Sequence, residues 1–279
     1  MEIPRIWIKE SADSRFPDGR TLPVTVWGWG ETESGARRLA ADRLQRVLLR
    51  IGRAETFPDR YAYGSRPLRE EILQVFERDG ATGVTAMLTR NGYGAQVLNT
   101  DRLLFLDIDV PRPTLMQRLL RGFRGPVHEE KVLNRLRDTL QQYGRATFRV
   151  YRTAAGFRAM AIDREFDPAG REARELMQTT GTDPAFARLC QVQRSFRARL
   201  TPKPWRCRMT LPPGQHPRSD DELRERFASW LGEYESASLR YATCRYLETI
   251  GRGQPTAAAR PLLELHDRLT RCDEQRPLA

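Results

Sequence analysis

Two aspartates separated by one residue, Asp107 and Asp109, follow the apolar segment 103–106. The apolar segment is typical of a central strand that is covered on both faces of a sheet. Because side chains alternate along a strand, the two carboxylates share one face, where their repulsion raises the pKa of one of them unless a cation neutralises the pair. Mg²⁺ or Mn²⁺ is the usual cation at such oxygen ligands, so the motif predicts a catalytic metal site. The alternative is that both acids end the strand and pair with nearby arginines.

A second group of candidate residues belongs to a predicted basic helix and to the proline-rich loop after it. Arg194 and Arg197 precede the loop, and Lys203, Trp205 and Arg206 lie in it. Cations beside an aromatic ring suit contacts with nucleic-acid phosphates and stacking on a base. The alternative is a solvated helix face followed by a loop whose tryptophan is anchored in the core.

Two loop segments form a third group of candidates. Residues 61–71 and 89–94 place tyrosine, arginine and asparagine beside glycines, and such loops can line a ligand cleft. From this group we select Arg90 for phosphate binding and Tyr93 for nucleic-acid binding. Ordinary turn chemistry explains Asn91-Gly92 equally well.

The elements that must position these residues follow from hydrophobic periodicity and turn signals. The N-terminal half predicts strands over 24–29, 84–88, 94–98 and 103–110, and helices over 35–51, 68–78 and 127–143. Two further strands are predicted over 146–152 and 157–163, and helices near 168–178, 184–199, 220–250 and 258–270. The Asn91-Gly92 pair predicts a hairpin.

This order of elements favours an α+β fold. Within 84–163 it predicts an RRM-like or ferredoxin-like sheet with a split βαβ core, in which the long helix packs across the sheet. We expect residues 1–200 to form the α+β core and residues 201–279 to form a mainly helical C-terminal region.

The strand that ends in Asp107 and Asp109, the helix after it and the next strand pair resemble the archaeo-eukaryotic primase/primase-polymerase superfamily over about residues 103–163. The resemblance implies that the two acids bind the catalytic divalent metals of nucleotidyl transfer. It also implies that the strand pair carries a Ser-Gly-x-Gly-x-His type signature for nucleotide phosphate, and that a third acid follows on a later strand, for which Asp163 or Asp167 is available.

Several residues depart from that signature. Thr153 stands in place of its serine and Ala154 in place of its first glycine, whereas Gly156 matches. Arg158 stands where the histidine is expected, and an arginine can hold a phosphate but does not reproduce the acid–base behaviour of histidine. We therefore expect Arg152, Arg158 and Lys203 to neutralise phosphate charge.

Composition limits the remaining functions. The 279 residues include 47 basic and 36 acidic residues, a net charge of +11, which is typical of proteins with a polyanionic partner. Only Lys9, Lys131 and Lys203 are lysines, so 44 basic residues are arginines, a bias that genome composition alone can also produce. No transmembrane run, secretory signal, P-loop, His-Glu-x-x-His or Gly-x-Ser-x-Gly motif occurs, so we expect a cytoplasmic protein without a membrane partner.

The cysteines and histidines give no further site. The four cysteines include no Cys-x-x-Cys pair, and we expect them to be buried or incidental thiols. His128, His216 and His266 are far apart in the sequence, and nothing in the sequence assembles them.

The sequence thus predicts a nucleotide- or nucleic-acid-binding protein that depends on Mg²⁺ or Mn²⁺, with primase-polymerase-type nucleotidyl transfer as its reaction. The alternative is an inactive nucleic-acid-binding or assembly module that keeps the fold, and a third is a structural protein.

Overall fold

Residues 3–16, 19–53, 67–77, 84–111, 125–218 and 220–279 are the part of the chain that the computed structural model describes. The chain divides into two compact units, Glu2–Ile72 and Leu73–Ala279. The division at residue 200 stays a prediction from the sequence. No helix in the described ranges is both long enough and apolar enough to cross a membrane.

The first unit consists of an antiparallel hairpin and one helix. Strands β1 (Ile6–Arg15) and β2 (Thr21–Gly30) pair along their whole length, and α1 (Glu33–Gly52) packs against both. The close packing requires Gly28, because a Cβ atom there would lie 2.1 Å from the carbonyl oxygen of Ala36. The sequence predicts β2 and α1 but not β1, because the second half of β1 is mostly polar.

The second unit is mixed α+β. Its strands are β3 (Glu71–Glu77), β4 (Val84–Arg90), β5 (Gln96–Thr100), β6 (Phe105–Asp109), β7 (Phe148–Thr153), β8 (Gly156–Ala161), β9 (Phe196–Arg199) and β10 (Cys244–Ile250). Its helices are α2 (Gly125–Tyr143), α3 (Arg171–Thr180), α4 (Pro184–Gln193), α5 (Asp221–Ser238) and α6 (Ala259–Thr270), with a 3₁₀ turn at Pro204–Cys207. With α1, the described residues contain six α-helices, and the predicted α+β class is confirmed.

The strands of the second unit form two four-stranded sheets. The first sheet has the order β10-β7-β8-β6, and the second has the order β3-β4-β5-β9. In the first sheet β8 runs antiparallel to both β6 and β7, so β6 and β7 are parallel to each other with β8 between them. The predicted Asn91-Gly92 hairpin is confirmed as the connection between β4 and β5.

The hydrophobic core lies around the first sheet. Leu104, Phe105 and Leu106 in and beside β6 are fully buried, as are Phe148 on β7 and Phe157 on β8. Helix α2 adds Leu136 and Leu140, which are one turn apart and therefore lie on the same face of the helix. The apolar run before the two aspartates is thus a core strand, as its composition predicts.

The position of β6 within the sheet differs from the prediction. Among the described strands β6 pairs with β8 alone, so it is an edge strand rather than a central one. A loop meets its other edge, where the backbone N–H of Asp183 donates to the carbonyl oxygen of Asp107 at 3.0 Å.

Three predicted helices are wrong in whole or in part. Residues 71–77 form β3 rather than a helix over 68–78, because Ile72, Val75 and Phe76 suit a strand that pairs with β4. The helix predicted over 184–199 ends at Gln193, since Arg194 takes a left-handed conformation (φ 49°), and β9 follows.

The helix predicted over 220–250 also ends early. Helix α5 stops at Ser238, and residues 244–250 form β10, which pairs with β7 in the first sheet. The C-terminal residues therefore contribute a strand to the same sheet that carries Asp107, and pairing with β7 outweighs local helix propensity there.

Candidate functional site

Asp107 and Asp109 lie at the end of β6, where the first sheet meets the loop before α4. Asp107 is partly exposed and Asp109 is exposed. A third carboxylate, that of Asp183, begins α4 and accepts a hydrogen bond from N of Ala185 at 3.0 Å. Partial burial raises the pKa of Asp109, and the negative charges of Asp107 and Asp183 raise it further. The repulsion expected between the two acids is therefore present in the structure.

Two cations face this acid group. The positive charges of Lys203 and Arg206 both act to lower the pKa of Asp109, against the effects that raise it. Burial lowers the pKa of Lys203, and the nearby charges of Arg199 and Arg206 lower it further. The charge of Lys203 thus interacts with those of both acids and of two arginines. The 3₁₀ turn holds this arrangement, since N of Arg206 donates to the carbonyl oxygen of Lys203 at 2.9 Å.

An exposed aromatic pair lies beside the cations. The rings of Tyr93 and Trp205 meet edge to face with centroids 5.3 Å apart, and Nζ of Lys203 lies 5.4 Å from the Trp205 ring. Tyr93 is 48% exposed and Trp205 is 50% exposed. The turn of the β4–β5 hairpin positions Tyr93, whose N–H donates to Oδ1 of Asn91 at 3.0 Å. The alternative that Trp205 is anchored in the core is therefore wrong.

Arg158 lies underneath the acids rather than at the surface. It is directly opposite Asp107 in the β6–β8 register, and its residue exposure is only 4%. Its Nη1 donates to the carbonyl oxygen of Arg199 at 3.0 Å and lies 3.3 Å from Nε2 of His266. Its Nε lies 4.0 Å from Oδ1 of Asp107. Arg158 therefore compensates part of the charge of Asp107 from inside the protein.

Gly156 allows β6 and β8 to approach so closely. It lies opposite Asp109, and a Cβ atom there would lie 1.9 Å from the carbonyl oxygen of Ile108. Its own N–H donates to Oγ1 of Thr153 at 3.0 Å, which closes the turn between β7 and β8. Gly156, which matches the signature, and Thr153, which replaces its serine, thus have a structural role in shaping the end of β6.

Sequence reasoning missed Arg199 and His266. Burial, together with the neighbouring positive charges of Arg158 and Arg206, lowers the pKa of Arg199 to about 10. Its Nη1 is buried without a hydrogen-bond partner among the described residues. His266 is fully buried on α6. Because Arg158 and His266 are 108 residues apart, no spacing in the sequence could reveal their contact.

The other predicted binding residues have partners elsewhere. Arg152 forms a two-pronged ion pair with Glu129, and its Nη1 donates to the carbonyl oxygen of Gly156 at 2.8 Å. Arg90 is nearly buried and forms a 3.7 Å ion pair with Glu235.

The two arginines predicted to bind nucleic acid lie around the end of α4. Arg194 is exposed at the C-terminal cap of α4, and Arg197 is largely buried on β9, where its Nη1 donates to Oε1 of Gln193 at 3.3 Å. The part of the third candidate group over residues 61–66 lies outside the described residues.

Asp107 and Asp109 supply carboxylate oxygens at the end of β6, the ligand type that Mg²⁺ and Mn²⁺ prefer. Within the described ranges no group of three His, Cys, Asp or Glu side chains has the geometry of a metal centre. Mg²⁺ commonly takes only one or two carboxylates and completes its shell with water and phosphate oxygens, and Asp107 and Asp109 supply that number.

Neither acid proposed as the third family carboxylate is placed to join them. Oδ1 of Asp163 accepts from N of Thr147 at 2.8 Å, beyond the far end of β8. Oδ1 of Asp167 accepts from N of Ala169 in the next turn. The carboxylate whose charge adds to that of Asp107 at Asp109 is Asp183.

Comparison with protein-family models, with curated proteins and with solved structures finds no match to this chain.

Proposed function

We propose that the chain binds a nucleotide or a nucleic acid together with Mg²⁺ or Mn²⁺ at the end of β6, and that it transfers a nucleotidyl group there. One observation carries the proposal: the partly exposed Asp107 and the exposed Asp109 lie near enough to Lys203 for their charges to interact, and Arg206 acts on Asp109 as well. A site for phosphate alone gains nothing from two adjacent negative charges. Acids and cations together suit a phosphate that arrives with a divalent metal.

Each residue in the site has a distinct part. Asp107 and Asp109 hold the metal, which supplies charge neutralisation at the phosphate. Lys203 and Arg206 contact phosphate oxygens directly and, being already charged, need no rearrangement of solvent as negative charge develops. The exposed Tyr93–Trp205 pair offers a surface on which a base can stack, at a position next to the phosphate-binding cations.

The sheet topology supports a primase-polymerase-like core with an RRM-like split βαβ unit. Strands β6 and β7 are parallel, α2 connects them, and β8 lies between them. The two acids end the first of these strands, and the β7–β8 turn with Gly156 lies directly beside them. These are the relative positions that the resemblance implies for the metal-binding acids and the phosphate-binding turn.

A second candidate function is a nucleic-acid-binding or assembly module without catalysis. The position of Arg158 favours it, because the residue that replaces the family histidine is buried and faces Asp107. In this case the cations Lys203 and Arg206 and the Tyr93–Trp205 pair bind a nucleic acid. The acids Asp107 and Asp109 then help to organise the fold.

Nucleotide binding and primer extension separate the two functions. Labelled nucleoside triphosphate is titrated into the parent and Asp107→Asn, with EDTA and with Mn²⁺, and both proteins are assayed for extension of a primed template. The proposed transferase binds more tightly with Mn²⁺ and extends the primer, and Asp107→Asn loses both effects. Nucleic-acid binding that is unaffected by EDTA, without extension in the parent, favours the inactive module. The transferase proposal fails if Asp107→Asn retains both the Mn²⁺ effect and extension.

A further inference from the structure

A buried His–Asp pair on α6 lies behind the candidate site. His266 is fully buried, and its ring packs against Tyr151 and Phe105 with centroids 4.8 Å and 6.0 Å away. Nδ1 of His266 lies 2.9 Å from Oδ1 of Asp267, and Nε2 lies 3.3 Å from Nη1 of Arg158. The imidazole therefore bridges an acid in the core and the arginine beneath Asp107.

The partners determine which ring nitrogen carries the proton. A guanidinium can only donate hydrogen bonds, so Nε2 of His266 must accept from Arg158. The proton then lies on Nδ1, which donates to the carboxylate of Asp267. Burial lowers the pKa of His266, and the charge of Arg158 lowers it further against the effect of Asp267. The neutral ring is the form that can hold Arg158.

Asp267 is held in turn by strand β7. The hydroxyl of Tyr151 donates to its Oδ1 at 2.8 Å, and Nη2 of Arg149 donates to its Oδ2 at 2.8 Å. Burial alone raises the pKa of Asp267, but these contacts and the bond from His266 outweigh it, so the pKa lies below the ordinary value. Asp267 is therefore an ionised acceptor with little freedom to move, as suits the outer partner of an oriented histidine.

We propose that His266, oriented by Asp267, fixes the guanidinium of Arg158 beneath Asp107 and is a positioning residue of the site. Without His266, Nη1 of Arg158 keeps one acceptor, the carbonyl oxygen of Arg199 at 3.0 Å, and a buried guanidinium with fewer acceptors shifts toward others within its reach. The carboxylate of Asp107, whose Oδ1 lies 4.0 Å from Nε of Arg158, is such an acceptor. By holding Arg158 back, His266 keeps Asp107 open to a metal; this link to metal binding rests on the proposed function, whereas the orientation of Arg158 does not.

The charged groups that face His266 come from three elements. They are Arg158 on β8, Arg149 on β7 and Asp267 on α6, and the titratable Tyr151 on β7 packs against the ring as well. Protonation of His266 removes one of the two acceptors of Nη1 of Arg158 and places a second positive charge beside it. Metal affinity therefore falls on the acid side when His266 is protonated. This acid-side step adds to any loss of affinity that protonation of the carboxylates causes.

The first test measures the parent protein and uses a variant only to assign the signal. Long-range ¹H–¹⁵N NMR of the histidine rings in the full chain reports the protonation state of each nitrogen. We expect the ring of His266, assigned by its loss in His266→Gln, to be neutral with the proton on Nδ1 at pH 7. A proton on Nε2, or a charged ring, overturns the proposal.

The second test compares two replacements of His266. His266→Gln keeps a side-chain oxygen that can accept from Arg158, whereas His266→Phe keeps a ring without an acceptor. We expect His266→Phe to move the Nε–H NMR signal of Arg158, assigned by its loss in Arg158→Lys. We also expect it to weaken Mn²⁺ binding, measured by calorimetry, by about threefold or more. We expect His266→Gln to keep the Arg158 signal and the Mn²⁺ affinity of the parent. The acid-side step in the pH dependence of Mn²⁺ affinity should be absent from this variant.

The outcomes distinguish the positioning of Arg158 by His266 from the metal binding of the proposed function. If both replacements leave the Arg158 signal and Mn²⁺ affinity as in the parent, or disturb them equally, His266 has only a packing role. Should His266→Phe fail to fold, the ring protonation in the parent and the pH profile of His266→Gln decide the question. If the parent binds no Mn²⁺, the proposed function fails, and the NMR measurements still decide whether His266 positions Arg158.

Discussion

Asp107 on β6 lies directly opposite Arg158 on β8, with 4.0 Å between Oδ1 of the carboxylate and Nε of the guanidinium. The two residues differ sharply in environment, since Arg158 is buried and Asp107 is partly exposed. The arginine compensates charge from the buried side, and the charge of Lys203 also interacts with that of Asp107. The sequence allows two interpretations of the acid pair, a metal site and ion pairs with arginines. In the structure one arginine pairs with Asp107, while Asp109 remains exposed.

Lys203 provides the first prediction. Lys203→Gln removes the cation that lies over the Trp205 ring and whose charge interacts with both acids. We expect it to weaken nucleoside triphosphate binding by about 1.5–3 kcal/mol, the value of a charge-assisted hydrogen bond. Fluorescence anisotropy measures the effect, and Lys131→Gln, an exposed lysine on α2, is the matched control. Equal affinities for the two variants would remove Lys203 from the phosphate site.

The exposed aromatic pair provides the second prediction. Trp205→Ala removes the larger stacking surface, and we expect single-stranded DNA to bind more weakly by about 1–3 kcal/mol. Leu239→Ala, at an exposed apolar residue at the end of α5, controls for loss of apolar surface. Binding should also weaken steeply as salt increases, because phosphate contacts release counterions. Parent-like affinity of Trp205→Ala contradicts a role in stacking.

The raised pKa of Asp109 gives a third prediction, with a defined sign. A carboxyl whose pKa is raised on folding binds its proton more tightly in the folded state. Its contribution to stability is therefore present below the pKa of the unfolded chain and is lost as pH rises through the folded pKa. Asp109→Asn should increase the metal-free unfolding free energy at pH 7 more than at pH 3, measured with urea. The exposed Asp138→Asn is the control, and a gain that is larger at pH 3 contradicts the account.

Gly156 provides the fourth prediction. In Gly156→Ala the new Cβ atom meets the carbonyl oxygen of Ile108, so β6 and β8 must separate at Asp109. We expect destabilisation of about 1–3 kcal/mol by urea unfolding, the usual cost of forcing atoms into a packed site. Gly232→Ala, in α5 with open space around its Cβ position, is the matched control and should be neutral or stabilising. Equal stability of the two variants would show that the strands separate without cost.

The sequence predicts the parts of the fold where local signals and tertiary contacts agree. The Asn91-Gly92 turn and the apolar stripe of α2 fall in this class, since turn geometry and helical periodicity are written in neighbouring residues. Residues 71–77 and 244–250 are different, because pairing with β4 and β7 decides their strand structure and neither partner is visible in the local pattern.

The candidate site shows the same division. Asp107 and Asp109 are recognisable because they are two residues apart, and Lys203 and Trp205 because they share one loop. The burial of Arg158 and its contact with His266 depend on how β8 and α6 pack together. A single sequence specifies the residue types at these positions but not which of them meet.

Isothermal titration calorimetry of Mn²⁺ tests the metal site most directly. The parent is compared with the double variant Asp107→Asn/Asp109→Asn and with Asp221→Asn/Glu222→Gln, which removes two adjacent exposed acids from the first turn of α5. We expect Mn²⁺ to bind the parent and the α5 variant alike and to lose its binding to the first double variant. Mn²⁺ binding that is unchanged in Asp107→Asn/Asp109→Asn would contradict a metal site at the end of β6.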